Sequence, residues 1–219
     1  MTLTCSDTMN IGVDEAGRGP VIGPLVVCAF ASDCNSELRE LGVKDSKFLS
    51  KKKRNQLYEI LVEMPHNVIV CQPERIDNSD NLNTLEVQLF SEALAGMPDG
   101  EIMLDACDVN AERFAQNVSR LSERDCNAEH KADETYPEVS AASIIAKVTR
   151  DRMIDELKEE IGFDIGSGYP SDPKTKSAVI ELVKGELPHD CLRWSWKTVE
   201  NAMGHPPPPR PNARQRTLF

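Results

Sequence analysis

No Cys-x-x-Cys pair occurs anywhere in the chain. The cysteines, at positions 5, 28, 34, 71, 107, 126 and 191, are odd in number and scattered through 219 residues. That pattern suggests neither a zinc site nor a disulfide framework, and a reducing cytosol is the expected setting. A secretory leader and any long apolar run are missing too. The expectation is a cytoplasmic protein with nothing that spans a membrane. A surplus of basic residues is also absent. The formal net charge of −11 argues against general affinity for nucleic acid. There are no internal repeats.

What is present is a chain of a length that suits one domain and that can bury a real core without staples. The expected division is a body over 1–204 and a Pro-rich tail over 205–219. Pro206 to Pro209, Arg210 and Pro211 favour extended polyproline geometry there. Charge is unevenly spread. Lys44, Lys47, Lys51, Lys52, Lys53 and Arg54 face Asp45 alone within 44–54, whereas residues 74–112 hold ten acids against Arg75 alone. A local basic patch can bind phosphate on an acidic protein.

Taken in order, Ile11 and Val13 alternate with small or polar neighbours, as in a strand. Leu25 to Phe30 is a continuous apolar run, consistent with a strand buried on both faces. The short link between the two predicts an antiparallel hairpin. A helix follows over 50–64, with Leu57, Ile60, Leu61 and Met64 as its apolar stripe. Val68 to Cys71 reads as a strand. Asn83 with Glu86 reads as a capping box opening a helix that runs to about Gly96. Glu101 to Asp105 is a strand ending on a carboxylate. Asn110 caps a helix carrying Phe114, Val118 and Leu121 inward. Pro137 opens a helix to about Ile161. Asp172 and Pro173 open another, to near Gly185, and a short helix starts at Leu192–Trp196. Strands first and helices interspersed later suggest an α/β sheet of mixed strand direction.

The stretch Ile11-Gly12-Val13-Asp14-Glu15-Ala16-Gly17-Arg18-Gly19-Pro20 organises the rest. Two carboxylates at a strand end want a cation, because like charges that close do not both stay ionised without one. Gly17 and Gly19 let backbone approach a ligand, and Arg18 offers a fork suited to phosphate. Taken alone, Asp-Glu at a strand end followed by Gly-Arg-Gly is equally a plain turn. The spacing is not that of a dinucleotide fingerprint. Asp105 ends another strand, and Asp133 precedes a buried helix. If those strands are neighbours, four acids converge, and oxygen-only ligands suit magnesium or manganese. One tension remains: adjacent strand residues point to opposite faces. Ser140, Ser143, Lys147 and Arg150, spaced three, four and three, line one helix face. That face is a phosphate cradle or a solvated surface. Residues 166–171 read as a loop, and Trp194 and Trp196 are expected in the core.

Together these motifs resemble ribonuclease HII, especially its archaeal branch. The resemblance rests on Val13-Asp14-Glu15-Ala16-Gly17-Arg18-Gly19, Asp45-Ser46-Lys47, Leu104-Asp105-Ala106, His130-Lys131-Ala132-Asp133 with Tyr136-Pro137, Val139 to Ser143, and Gly168 to Pro173. It covers roughly residues 10–200. It implies a ribonuclease H-like mixed sheet flanked by helices, with a helical C-terminal extension. It implies hydrolysis of the RNA strand of RNA/DNA hybrids, and incision 5′ of a single ribonucleotide in duplex DNA. The products are a 3′-hydroxyl and a 5′-phosphate, and the cofactors two Mg²⁺ or Mn²⁺ ions. By the same resemblance Asp14, Glu15, Asp105 and Asp133 are the catalytic, metal-binding acids. Gly17, Arg18 and Gly19 read the 2′-hydroxyl and backbone, and Tyr169 packs on the sugar at the RNA–DNA junction. Lys47, Ser143 and Lys147 match positions that hold flanking phosphates. Gln215, Leu218 and Phe219 partly match the box with which archaeal relatives bind the sliding clamp, although the usual aromatic pair is absent. A monomer is expected. Ribonuclease HIII, a non-catalytic hybrid-binding module and an integrase-like enzyme are the rivals. The short stretch before Asp14, the intact acids, and Gly-Arg-Gly with Tyr169 disfavour them in turn.

Overall fold

The computed structural model describes residues 8–43 and 46–210. In chain order the elements are β1 (Met9–Ala16), β2 (Leu25–Ser32), α1 (Asn35–Glu40), a 3-10 turn (Ser46–Phe48), α2 (Lys51–Leu61), β3 (His66–Cys71), α3 (Pro73–Asp77), α4 (Leu82–Leu94), β4 (Gly100–Asp105), α5 (Ala111–Ser122), β5 (Cys126–Glu129), α6 (Ala132–Thr135), α7 (Pro137–Ile161), α8 (Pro173–Leu182) and α9 (Lys197–Met203). They fall into two compact units. One comprises Met1–Ala16, Val26–Val70 and Asn83–Arg150, the other Gly17–Leu25, Cys71–Leu82 and Asp151–Phe219.

The first unit carries the sheet, in the order β3-β2-β1-β4-β5. β1 pairs antiparallel with β2, setting Asp14 opposite Cys28, and parallel with β4, setting Val13 beside Leu104. β4 and β5 are parallel, with Asp105 beside Glu129. The sheet is therefore mixed, and the hairpin expected from the short β1–β2 link forms. All eight residues of β2 are buried, as its unbroken apolar run predicts. Gly12 lets the start of α7 lie directly on β1. A β-carbon there would fall 2.3 Å from the carbonyl carbon of Glu138 and the nitrogen of Val139. Gly12 and Asp14, two residues apart, share that strand face.

Four local expectations fail. Ile60, expected in the apolar stripe of α2, is 46% exposed, and only Leu57 and Leu61 of that helix are buried. α4 begins at Leu82, so Asn83 lies inside the helix, and Glu86 is fully buried beside Leu85, Leu89 and Phe90. It does not form a capping box. In α5, Asn110 does cap, its Oδ1 accepting from Arg113 N at 2.9 Å, and Phe114 meets Phe90 edge-on at 5.0 Å. Leu121, in the last turn before left-handed Glu123, faces solvent instead. Residues 192–196 are not helical. The Asp77 carboxylate accepts the N–H groups of Trp194 and Ser195 at 2.8 and 3.0 Å, so the helix waits until Lys197.

The second unit packs Ile22, Ile154, Ile165, Val179, Trp194 and Val199 into its own core. Asp172 caps α8 as expected, accepting from Lys174 N at 2.9 Å, with Pro173 in the first turn. The proline run expected to begin a tail is tied down as far as residue 210. The Arg210 side chain is 2% exposed, pairs with Asp77 at 2.7 Å and Asp190 at 3.2 Å, and lies over the Trp194 ring. Its guanidinium also donates to the Leu192 carbonyl. Among the described residues no helix is long and apolar enough to cross a membrane.

Candidate active site

β1 and β4 are parallel neighbours, so the ends of both deliver their acids to one edge of the sheet. Asp105, the last residue of β4, accepts the N–H of Ala132 at 2.8 Å and so fixes the start of α6. That four-residue helix, entered through Lys131 in a left-handed conformation, presents Asp133, which is 1% exposed. Ser140, on the first turns of α7, donates its hydroxyl to the Asp133 carbonyl at 2.5 Å. One carboxylate oxygen each from Asp14, Asp105 and Asp133 lie within 4.8 Å of one another.

Asp14 and Asp105 lack the solvation that would keep them ionised. Burial pushes the Asp14 carboxyl up to about 8, and the charges of Asp105 and Asp133 push the same way. The Ser143 hydroxyl and the Glu15 N–H work against that rise, the latter donating to Asp14 Oδ1 at 2.7 Å. Burial likewise raises Asp105, opposed by the Ala132 N–H and the Lys47 charge. Burial raises Glu15 well above the usual carboxylate range, and Asp14, Glu86 and Asp105 add to it. Glu15 Oε2 is buried with no hydrogen-bond partner among the described residues. Closely set oxygen donors that cannot all ionise, with an orphan carboxylate oxygen beside them, fit a divalent cation of the Mg²⁺ or Mn²⁺ type. The Cys28 thiol opposite Asp14 is held protonated by burial, so it offers no thiolate to a metal.

Glu15 stands outside the cluster of three because the strand alternates. Its carboxyl is hydrogen-bonded to Asp14 and feels the charges of Asp14, the buried Glu86 and Asp105. Lys47 donates to Asp133 Oδ2 at 3.3 Å from an exposed position. Ser143 is buried, and its hydroxyl is engaged with Asp14 and, at 3.0 Å, with Ser46, so the structure aims it at an acid. Lys147, one turn further along α7, is half-buried. Ser140 and Arg150 are buried as well, so that helix face is not solvated. In the second unit Gly17 adopts φ 97°, Arg18 is half-buried and Gly19 exposed, and the Tyr169 ring lies beside Gly19. Asp45, Gln215, Leu218 and Phe219 lie outside the described residues.

Sequence reading missed Glu86, Ser46 and Arg193. Glu86 had a signal, a charge set within the apolar stripe of its helix. Ser46 and Arg193 gain their roles only through long-range contacts.

A mixed sheet ordered in this way, with carboxylates gathered at the ends of its two central parallel strands, defines a ribonuclease H-like, metal-dependent nuclease. The family model for ribonuclease HII matches residues 11–199. Ribonuclease HII of Methanocorpusculum labreanum is 47% identical over 198 residues, 88% of this chain and 92% of that protein. The solved ribonuclease H2 of Pyrococcus horikoshii superposes with a TM-score of 0.82 at 42% identity, covering 90% of this chain and 97% of that one. Ribonuclease HII of Archaeoglobus fulgidus, solved in complex with PCNA, gives 0.81 at 42% identity over 88% and 96% of the two chains. The chain belongs to the ribonuclease HII family, whose members are endoribonucleases acting on RNA/DNA hybrids.

Proposed function

We propose that this chain also incises duplex DNA on the 5′ side of a single embedded ribonucleotide, leaving a 3′-hydroxyl and a 5′-phosphate. The observation that carries the reading is the buried carboxylate group of Asp14, Asp105 and Asp133, with Glu15 against it. Asp14, Glu15, Asp105 and Asp133 would hold two Mg²⁺ or Mn²⁺ ions, which would supply positive charge for a phosphodiester reaction and acidify a bound water. The chain's own residues do the rest. Asp105 orders α6 and so sets Asp133, while Ser143 and the Glu15 N–H orient the Asp14 carboxylate. Lys47 and Lys147 hold flanking phosphates. The Gly17-Arg18-Gly19 turn meets the 2′-hydroxyl, the group that distinguishes RNA from DNA at a site. Tyr169, 36% exposed, offers its ring face to the sugar at the junction.

The test is cleavage of duplex DNA carrying one ribonucleotide, with Mg²⁺, Mn²⁺ or chelator, beside an all-DNA duplex and Asp14→Asn. Metal-dependent cutting 5′ of the ribonucleotide, lost in the variant, is expected. Cutting of long hybrids alone would refute single-ribonucleotide incision.

Gln215, Leu218 and Phe219 are further proposed to bind a sliding clamp, which the PCNA complex of the Archaeoglobus fulgidus relative supports. Binding of the 211–219 peptide to an archaeal clamp, lost on Phe219→Ala, is the expected result. Equal failure of both peptides would sink this assignment.

A further inference from the structure

We propose that Arg193 is a positioning residue that holds the Gly17–Gly19 turn in its ribonucleotide-reading conformation, an inference that rests on the substrate role proposed above for that turn.

The geometry lies wholly within the second unit. The segment around Leu192 pairs antiparallel with Ile22. Gly23 N donates to Cys191 O and Arg193 N to Val21 O, both at 2.9 Å. From this ladder the Arg193 side chain turns back along the chain. Its Nε donates to Gly23 O at 3.1 Å, one terminal nitrogen to Arg18 O at 2.9 Å, and the other to Gly17 O at 2.5 Å. The guanidinium lies 4.9 Å over the Trp196 ring, whose Nε1 donates to Gly19 O at 3.4 Å. Arg193 is 0% exposed. Burying a cation is expensive unless it is hydrogen-bonded, and here carbonyl oxygens of the turn and an indole face provide the compensation.

The consequence follows from the planarity of the peptide group. In a trans peptide the carbonyl and the next N–H point in opposite directions. Carbonyls 17 and 18 aim at the guanidinium, so the N–H groups of Arg18 and Gly19 aim away from it. Successive N–H groups presented in this manner make a concave site for an anion or a hydroxyl oxygen. A second tie fixes the tyrosine. Gly168 O accepts from Val21 N at 2.8 Å and Ile22 N at 3.2 Å, and Gly168 N donates to Thr175 Oγ1 at 3.0 Å. The Tyr169 ring is thereby set 3.7 Å from where a β-carbon on Gly19 would stand. The planar fork matters, because it delivers donors in several fixed directions where a lysine offers one compact ammonium.

The test uses Arg193→Lys and Trp196→Phe, which keeps the stacked face and removes the donor to Gly19, with Gly19→Ala as a probe of the turn itself. The affinity of each full-length variant for a duplex with one ribonucleotide is compared with that for the all-DNA duplex, with Ca²⁺ replacing the catalytic ion. KM, kcat, Mn²⁺ affinity and melting temperature are measured alongside. Both positioning variants are expected to lose at least about fivefold of the ribonucleotide preference and to raise KM, with Mn²⁺ affinity within about twofold of wild type. Folded variants that keep the wild-type preference overturn the proposal. Should Arg193→Lys fail to fold, Trp196→Phe decides alone. If Gly19→Ala abolishes the preference while Arg193→Lys and Trp196→Phe retain it, the proposal falls and the substrate role of the turn stands. If Gly19→Ala changes nothing, or wild type itself shows no preference, both fall.

Discussion

Removing the charge of Asp14 should stabilise the metal-free protein while destroying its activity. In an open chain this carboxyl titrates at 3.8, and in the fold at about 8. Because the folded value is the higher, the proton is held more tightly in the folded state. Below pH 3.8 the carboxyl is protonated in both states and the fold is not penalised. As pH rises from there toward 8, the unfolded chain sheds a proton that the folded one retains, and stability falls by about 1.4 kcal/mol per pH unit. Over that window the loss comes to about 5 kcal/mol by pH 8, roughly 10–20 °C of melting temperature for a chain of this size. Asp14→Asn keeps an oxygen for the Glu15 N–H and carries no charge at any pH. In chelator, thermal unfolding of wild type should fall steeply between pH 5 and pH 8, and that of the variant less steeply, because Glu15 and Asp105 still hold raised values but no longer face the Asp14 charge. Mn²⁺ should restore the wild type at pH 8 and do far less for the variant. Superposable pH profiles for the two proteins in chelator would refute the reasoning.

Asp105→Asn should cut hybrid hydrolysis at least about 10³-fold, as expected when charge stabilisation at the reacting phosphate is lost. A single-turnover assay in Mg²⁺ checks it. Gly12→Ala drives a methyl into the backbone of Glu138 and Val139 and should cost about 3 kcal/mol, read by urea denaturation. Lys47→Ala, at a largely exposed position, should change stability by less than about 1 kcal/mol. It should still flatten the salt dependence of duplex binding by about one unit of log–log slope. Arg210→Ala leaves the Asp77 carboxylate buried without its cation. A loss of about 3 kcal/mol is expected, with earlier proteolysis of the 205–210 segment.

Much of the fold was legible because its signals are local. The apolar run of β2, the Asn110 and Asp172 caps and the Pro137 helix start all depend on neighbours in sequence. The site was legible as types of residue at strand ends. The placement of Asp14 beside Asp105 needed one further fact, that β1 and β4 pair in parallel, and that of Asp133 needed the Ala132 N–H to settle on Asp105. What could not be read came from distant partners. Glu86 resembles a capping glutamate until Glu15 is seen to face it. Leu192 to Trp196 resembles the start of a helix until Asp77, more than a hundred residues away, takes its N–H groups. Short α1, α3 and α6 have too few residues for periodicity to show.

The bare α-carbon of Gly12 also acts as a key for the sheet. Sliding β1 by one residue would exchange the faces of all its side chains, putting Glu15 where Asp14 belongs. Such a slip would also bring Ile11 or Val13 under the first turn of α7, where even a β-carbon at Gly12 would stand 2.3 Å from backbone. A mispaired strand therefore fails to close on that helix, and the choice between two adjacent acids is checked during assembly by a residue with no side chain.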